Sequence, residues 1–313
     1  MRILLCFFLL VLFPLSSQAT EETVNIEVKG GKVQGTLLVP DNAIKPPVVL
    51  IIAGSGPTDR DGNQQNLQNN SLKQLADSLY NRGIASLRFD KRGIGASQIP
   101  DLNQRELRFE HFVADVRYWI GLLGKDKRFS RLIVAGHSEG ALIGIEAAID
   151  NPQVHGYVSL AGPSRPADEM IREQLAEQPQ MIRDMVFPML DTLRGGDTLR
   201  FVPEYLYALF HPSLQPYLMS WMKYDPRQEI KKLKVPVLIV QGTTDVQVLP
   251  EDAENLKRAY PAATVKLVEN MNHIFKEFDS KDKRAQIATY NNPNLPLHKD
   301  FIPAIESFVK KIQ

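Results

Sequence analysis

The pentad Gly136-His137-Ser138-Glu139-Gly140 lies between an apolar run, Leu132–Ala135, and a stretch with helical spacing, Glu139–Ile149. A serine in a tight strand-to-helix turn has its hydroxyl forced outward, and flanking glycines let the turn close without side-chain collisions. The helix that begins there brings amide donors and the positive end of its dipole close to any developing negative charge. Ser138 is therefore the candidate nucleophile. A serine hydroxyl needs a base to take its proton, and the base needs an acid to hold its tautomer. Asp245 closes Gln241-Gly242-Thr243-Thr244-Asp245 directly after strand-like Val237–Gln241, and His273 lies just past strand-like Thr264–Val268. Taken singly, Asp245 could cap a helix starting near Pro250 and His273 could be an ordinary loop histidine. Both standing at the ends of later strands, in the order Ser, Asp, His, read as the acid and the base. His111, His137, His155, His211 and His298 read as structural or solvated, His137 because it would point away from the serine hydroxyl.

An acyl-transfer transition state also needs donors for an oxyanion. One is the backbone N–H of Glu139, the residue after the nucleophile. The second is expected from the loop 53–62 after the first buried strand, where two glycines allow close approach of the main chain. Ser55 N–H is the first choice, with Gly54 and Gly56 as alternatives. This loop has neither the dinucleotide pattern Gly-x-Gly-x-x-Gly nor Gly-Lys-Ser/Thr, so nucleotide binding is a poor rival. Asp59, Arg60 and Asp61 read first as a salt-bridged brace with Arg88, Asp90 or Arg92, and second as a reader of a polar substrate group. No His/Cys/Asp spacing resembles a metal-ligand set, so neither a metal nor a cofactor is expected.

The elements that must position these residues alternate. Thr23–Val28 and Lys32–Leu38 flank Gly30-Gly31 as a hairpin, and Val48–Ala53 reads as a strand buried on both faces. Helix-like Ser71–Asn81, strand-like Ala85–Phe89, helix-like Phe112–Leu123, strand-like Val154–Leu160, helix-like Glu251–Arg258 and an amphipathic terminal helix around Phe301, Ile305, Phe308 and Ile312 complete the pattern. Strands alternating with helices imply an α/β fold: a mostly parallel sheet with helices on both faces. Residues 163–225 read as helices broken at Pro179, Gly195-Gly196, Pro203, Pro212 and Pro216, an inserted helical cap over the strand ends. Six of the eight methionines fall there, either as ordinary packing or as an adaptable apolar acyl pocket.

The chain of 313 residues has 37 basic and 36 acidic side chains, giving no basic excess to hold nucleic acid. Arg2, the apolar run Ile3–Phe13, Pro14 and the small residues Ser17 and Ala19 read as a secretory signal, residues 1–19, cut after Ala19. The run is well short of the ~20 residues that span a bilayer, so no membrane anchor is expected to remain. Cleavage would remove Cys6, the only cysteine, and leave a periplasmic or secreted domain, residues 20–313, without disulfides.

The loop Gly54-Ser55-Gly56-Pro57-Thr58-Asp59-Arg60-Asp61-Gly62 together with Gly136–Gly140 resembles the α/β-hydrolases, in particular the bacterial EstD-like serine carboxylesterases. The resemblance includes Asp90-Lys91-Arg92-Gly93-Ile94-Gly95-Ala96-Ser97 and Val235–Gly242, and runs from the hairpin to the terminal helix. It implies a Ser138–Asp245–His273 triad and cofactor-free hydrolysis of a small-molecule ester. Where the family commonly begins its oxyanion loop with His-Gly, this chain has Ala53-Gly54. A peptidase, thioesterase or acyltransferase on the same fold, or a non-catalytic binding protein, is the rival expectation. Neither the natural ester nor the oligomeric state is written in the sequence.

Overall fold

The computed structural model describes residues 21–312; the signal-like segment 1–19 with Cys6 lies outside them. Strands β1 (Glu21–Val28) and β2 (Gly31–Leu38) form the expected hairpin, turning at Gly30 with φ 88°. Then follow β3 (Val48–Ile52), α1 (Ser71–Tyr80), β4 (Ala85–Phe89), α2 (Phe109–Lys125), β5 (Leu132–His137), α3 (Glu139–Ala148) and β6 (Gly156–Leu160). Helices α4 (Ala167–Gln174), α5 (Gln180–Arg194), α6 (Tyr207–Phe210), α7 (Gln215–Trp221) and α8 (Pro226–Glu229) come next. The described chain ends with β7 (Val237–Gly242), α9 (Pro250–Ala259), β8 (Thr264–Val268), α10 (Lys283–Ile287) and α11 (Phe301–Lys311).

The strands form one sheet in the order β1-β2-β4-β3-β5-β6-β7-β8. β2 runs antiparallel to β1 and β4, and every later pairing is parallel. The period-2 geometry of a strand sends alternate side chains to opposite faces. Val48, Leu50 and Ile52 accordingly join a core under α2 and α3, while Val49, Ile51 and Ala53 join a second core under α1 and α11. That is why the central strands read as unbroken apolar runs: both faces are covered.

Local chemistry moved several boundaries. α2 begins at Phe109 rather than Phe112, because Phe109 N–H donates to Ser220 Oγ (2.8 Å) and Arg108 N–H to His111 Nδ1 (3.2 Å). These side chains satisfy main-chain donors at a helix start that would otherwise lack partners. β6 begins at Gly156, so His155 precedes it rather than lying within it. α10 had no signal in the apolar pattern; Asp282 caps it by accepting from Arg284 and Ala285 N–H. Between β6 and β7 the breakers stand at helix edges: Pro179 at the start of α5, Gly195 at its end, and Pro216 in the first turn of α7.

In the last turn of α3, away from Ser138, Glu146 meets Glu229 of α8. Burial, the hydrogen bond with Glu229 and the Glu229 charge push the Glu146 carboxyl up to about 8, against the pull of Lys232 and Arg117. The folded protein therefore keeps a proton that the unfolded chain releases near 4.5. This contribution to stability is complete below that value and is lost as pH rises through about 8. Glu146→Gln is expected to flatten this decline, raising the thermal midpoint at pH 9 by about 2 °C while changing it little at pH 5. Parallel melting curves with the same pH slope for both proteins would remove Glu146 as its source.

Candidate active site

Ser138 sits at the junction of β5 and α3 with φ 54° and ψ −121°, a region that L-residues rarely enter. Such a conformation costs about 1–3 kcal/mol and persists only where surrounding structure enforces it. Here Ser138 N–H donates to Leu160 O (3.0 Å) on neighbouring β6. The glycines on either side are steric necessities. A Cβ on Gly136 would collide with the Gly140 carbonyl, and one on Gly140 would lie 2.6 Å from the carbonyl oxygens of Ile52 and Ala53.

Asp245 and His273 meet across adjacent strand ends. His273 Nδ1 lies 2.8 Å from Asp245 Oδ2, and both side chains are buried. An ionised carboxylate only accepts, which puts the ring proton on Nδ1 and leaves Nε2 with its lone pair free. Asp245 also accepts from Gln241 Nε2 (3.0 Å), Gln247 N–H (2.8 Å) and Val248 N–H (3.0 Å), so its orientation is fixed on both oxygens. It does not cap α9, whose start is held by Asp252 accepting from Leu249 N–H. The Asp245 and His273 loops are laced together by Asn270 N–H donating to Thr243 Oγ1 (2.9 Å). Gly242 is required there because a Cβ would strike the Met271 carbonyl.

His137 is structural, as the sequence reading had it. Its ring borders the same cavity as Ser138, and its Nε2–H donates to the His273 carbonyl (3.0 Å). Burial, the nearby His273 and Lys91 hold it well below the usual imidazole range, so it is a neutral prop under the His273 main chain. Phe275 packs against it at 4.8 Å and stacks on Phe301 of α11. His111, His155, His211 and His298 lie outside this cavity.

Ser55 borders the cavity, and Gly54 abuts Ser138: a Cβ there would come 3.2 Å from Ser138 Cβ. The loop is braced as charge alone suggested. Arg60 pairs with Asp90 (2.7 Å), Asp61 with Arg88 (2.7 Å), and Asp59 accepts from Asp61 and Asn63 N–H. None of Asp59, Arg60 and Asp61 borders the cavity, so the substrate-reading role has no geometric support. Lys91 was not anticipated. It is buried, with Nζ 2.5 Å from Gly54 O and 3.6 Å from Glu139 Oε2. Burial depresses its pKa, which the Glu139 charge partly restores. Glu139 Oε1 in turn accepts from the Tyr217 hydroxyl of α7.

The cavity at Ser138 and His273 measures about 140 Å³. Its walls include Thr58, Gln64, Leu67, Asn69, Gln247, Ile274 and Tyr290, and among the described residues no carboxylate lines it. Burial and the Asp245 charge raise the Tyr290 pKa, so its hydroxyl stays a donor while it accepts from Gln247 Nε2 (2.6 Å). The methionines of 163–225 are absent from these walls. Met222 is buried in the core, Met170, Met189 and Met219 pack against it, and Met181 is exposed. Of the two readings of these methionines, the apolar acyl pocket is not formed at this cavity.

The fold is shared with the solved structures that this chain resembles. Residues 68–202 match the family model described as serine aminopeptidase, S33. Esterase EstD of Thermotoga maritima is 28% identical over 265 residues, 83% of this chain. The chain spans 61% of the length of that relative. Est1E from Butyrivibrio proteoclasticus has a TM-score of 0.59 at 18% identity, covering 92% of this chain and 98% of its own. The Pyrococcus furiosus esterase Pf2001 has a TM-score of 0.56 at 15% identity, covering 94% and 93%. The chain is an α/β-hydrolase in fold. Within that class it resembles the EstD-like esterases over most of its length.

Proposed function

We propose that the protein is a serine hydrolase that cleaves carboxylic esters with short acyl groups through an acyl-enzyme. The observation that carries this reading is the Asp245-held His273 opening onto the same cavity as the strained Ser138. Ser138 Oγ attacks the ester carbonyl while His273 Nε2 takes its proton; the alcohol then leaves with that proton. Water, activated by the same histidine, releases the acid. The oxyanion is held by Glu139 N–H, which as first residue of α3 has no partner within the helix, and by an amide of the Gly54–Gly56 segment. Residues 163–225 act as a cap, linked to the elbow through Tyr217. The leader is removed after Ala19, and the enzyme works in the periplasm or outside the cell.

The aminopeptidase description of the matching family model favours a second reading, cleavage of aminoacyl bonds. A free α-ammonium entering the site would need an anionic partner, and the cavity offers none. Esters are therefore preferred over aminoacyl amides.

Cavity size sets the acyl preference. Small-molecule sites usually span about 300–1,000 Å³, so about 140 Å³ seats a short acyl group and leaves longer chains in water. On p-nitrophenyl esters, kcat/KM for acetate and butyrate is expected to exceed that for octanoate by about 4- to 15-fold, the equivalent of one to two lost methylene burials at ~0.8 kcal/mol each. Aminoacyl p-nitroanilides should be poorer still. Equal rates across the ester series would exclude the cavity as the acyl seat, and faster aminoacyl cleavage would favour the peptidase.

A further inference from the structure

The turn after β4 places one cation where a hydrolytic site has no evident use for it. Lys91 is 4% exposed, lies 5.8 Å above the Phe112 ring, and among the described residues pairs with one anion, Glu139. A buried ion pair of this kind is weak evidence for stability, because removing two charges from water costs several kcal/mol per ion and apolar replacements often do as well. What the pair touches is more informative. Lys91 Nζ donates to the carbonyl of Gly54, and that carbonyl belongs to the same planar peptide as Ser55 N–H. The described residues contain no cis peptide, so this C=O and N–H point in opposite directions. An ammonium anchoring the oxygen fixes the plane of the peptide, aims the N–H away from Lys91, and polarises it as a donor. On its other side Lys91 faces the Glu139 carboxylate, which also receives the Tyr217 hydroxyl, and Glu139 carries the second expected donor on its own nitrogen.

Resting on the serine-hydrolase reading above, we propose that Lys91 is the positioning residue of the oxyanion site, aiming Ser55 N–H through the Gly54 carbonyl and Glu139 N–H through the Glu139 carboxylate. This selects Ser55 over Gly54 and Gly56 as the loop donor. It also makes Tyr217 the contact through which the β6–β7 segment reports to the elbow. Because the donors matter most when the carbonyl oxygen becomes an oxyanion, their loss must appear in kcat rather than KM.

The test is a double variant, Lys91→Met with Glu139→Gln, which removes both charges and leaves neither unpaired. With p-nitrophenyl acetate, kcat should fall about 10²-fold. KM should stay within about threefold, since an interaction made only in the transition state leaves ground-state binding untouched. Affinity for a trifluoromethyl ketone, whose adduct with Ser138 carries an oxyanion, should fall by the same factor as kcat/KM. Circular dichroism and a cooperative melt establish folding. A folded double variant with wild-type kcat and ketone affinity overturns the proposal, as does a rise in KM at constant kcat. Should it not fold, Tyr217→Phe in the otherwise wild-type chain decides: kcat reduced about threefold or more at constant KM supports the proposal, on the scale of one lost hydrogen bond, and unchanged kcat overturns it. A wild-type chain that turns over no ester and takes up no fluorophosphonate would instead overturn the serine-hydrolase reading itself.

Discussion

Ser138→Ala is expected to abolish fluorophosphonate labelling and to lower kcat on p-nitrophenyl acetate by about 10⁴-fold or more. The hydroxyl is the atom that bonds to the acyl carbon, so no other group at the elbow can replace it. The substitution removes one oxygen and leaves the backbone strain in place: φ 54° is imposed by the packing of Gly136 and Gly140 and by the bond from Ser138 N–H to Leu160 O. The thermal midpoint should therefore stay near that of the wild type. A residual rate above the uncatalysed reaction is expected, since the proposed oxyanion donors and the cavity survive. Retained labelling in a folded Ser138→Ala protein would move the nucleophile elsewhere.

Asp245→Asn should cost nearly as much, about 10⁴-fold in kcat, for a reason visible in the hydrogen bonds around the carboxylate. Oδ1 accepts from the N–H groups of Gln247 and Val248, which only a side-chain oxygen can satisfy. An asparagine must keep its carbonyl there and turn its NH₂ toward His273. The NH₂ donates, so His273 Nδ1 must accept, and the ring proton moves to Nε2 on the side where Ser138 needs a base. The histidine stays in place in the wrong tautomer. Steady-state rates for Asp245→Asn, with circular dichroism to show the fold retained, check this. A loss of less than tenfold would assign the orienting acid to another residue.

The legible parts of the molecule share a physical basis. β3, β5 and β7 could be read because a strand covered on both faces must be apolar throughout, and the elbow because only glycine fits at 136 and 140. Asp245 and His273 were legible through position alone, one after each of the last two strands. α10 was not, since its five residues are too few to show a period and Asp282 makes its start by hydrogen bonds. The methionines left two readings open because composition records that a segment is apolar, not which face of it meets the Ser138 cavity.

The α/β alternation, the elbow and the choice of Ser138, Asp245 and His273 follow from the order of residues alone, because strand burial, turn sterics and chain order are local or nearly local constraints. Everything that depends on segments far apart in the chain meeting in space was left to tertiary packing. That packing brought Lys91 of the β4 turn to the Gly54 carbonyl and to Glu139, and Tyr217 to the same carboxylate. It set His137 beneath the His273 main chain and closed the cavity with Gln64, Gln247 and Tyr290. No periodicity encodes these meetings, since a buried lysine and an exposed one look the same in a sequence. Only packing in three dimensions removes water from the charge and so gives it a partner it must keep.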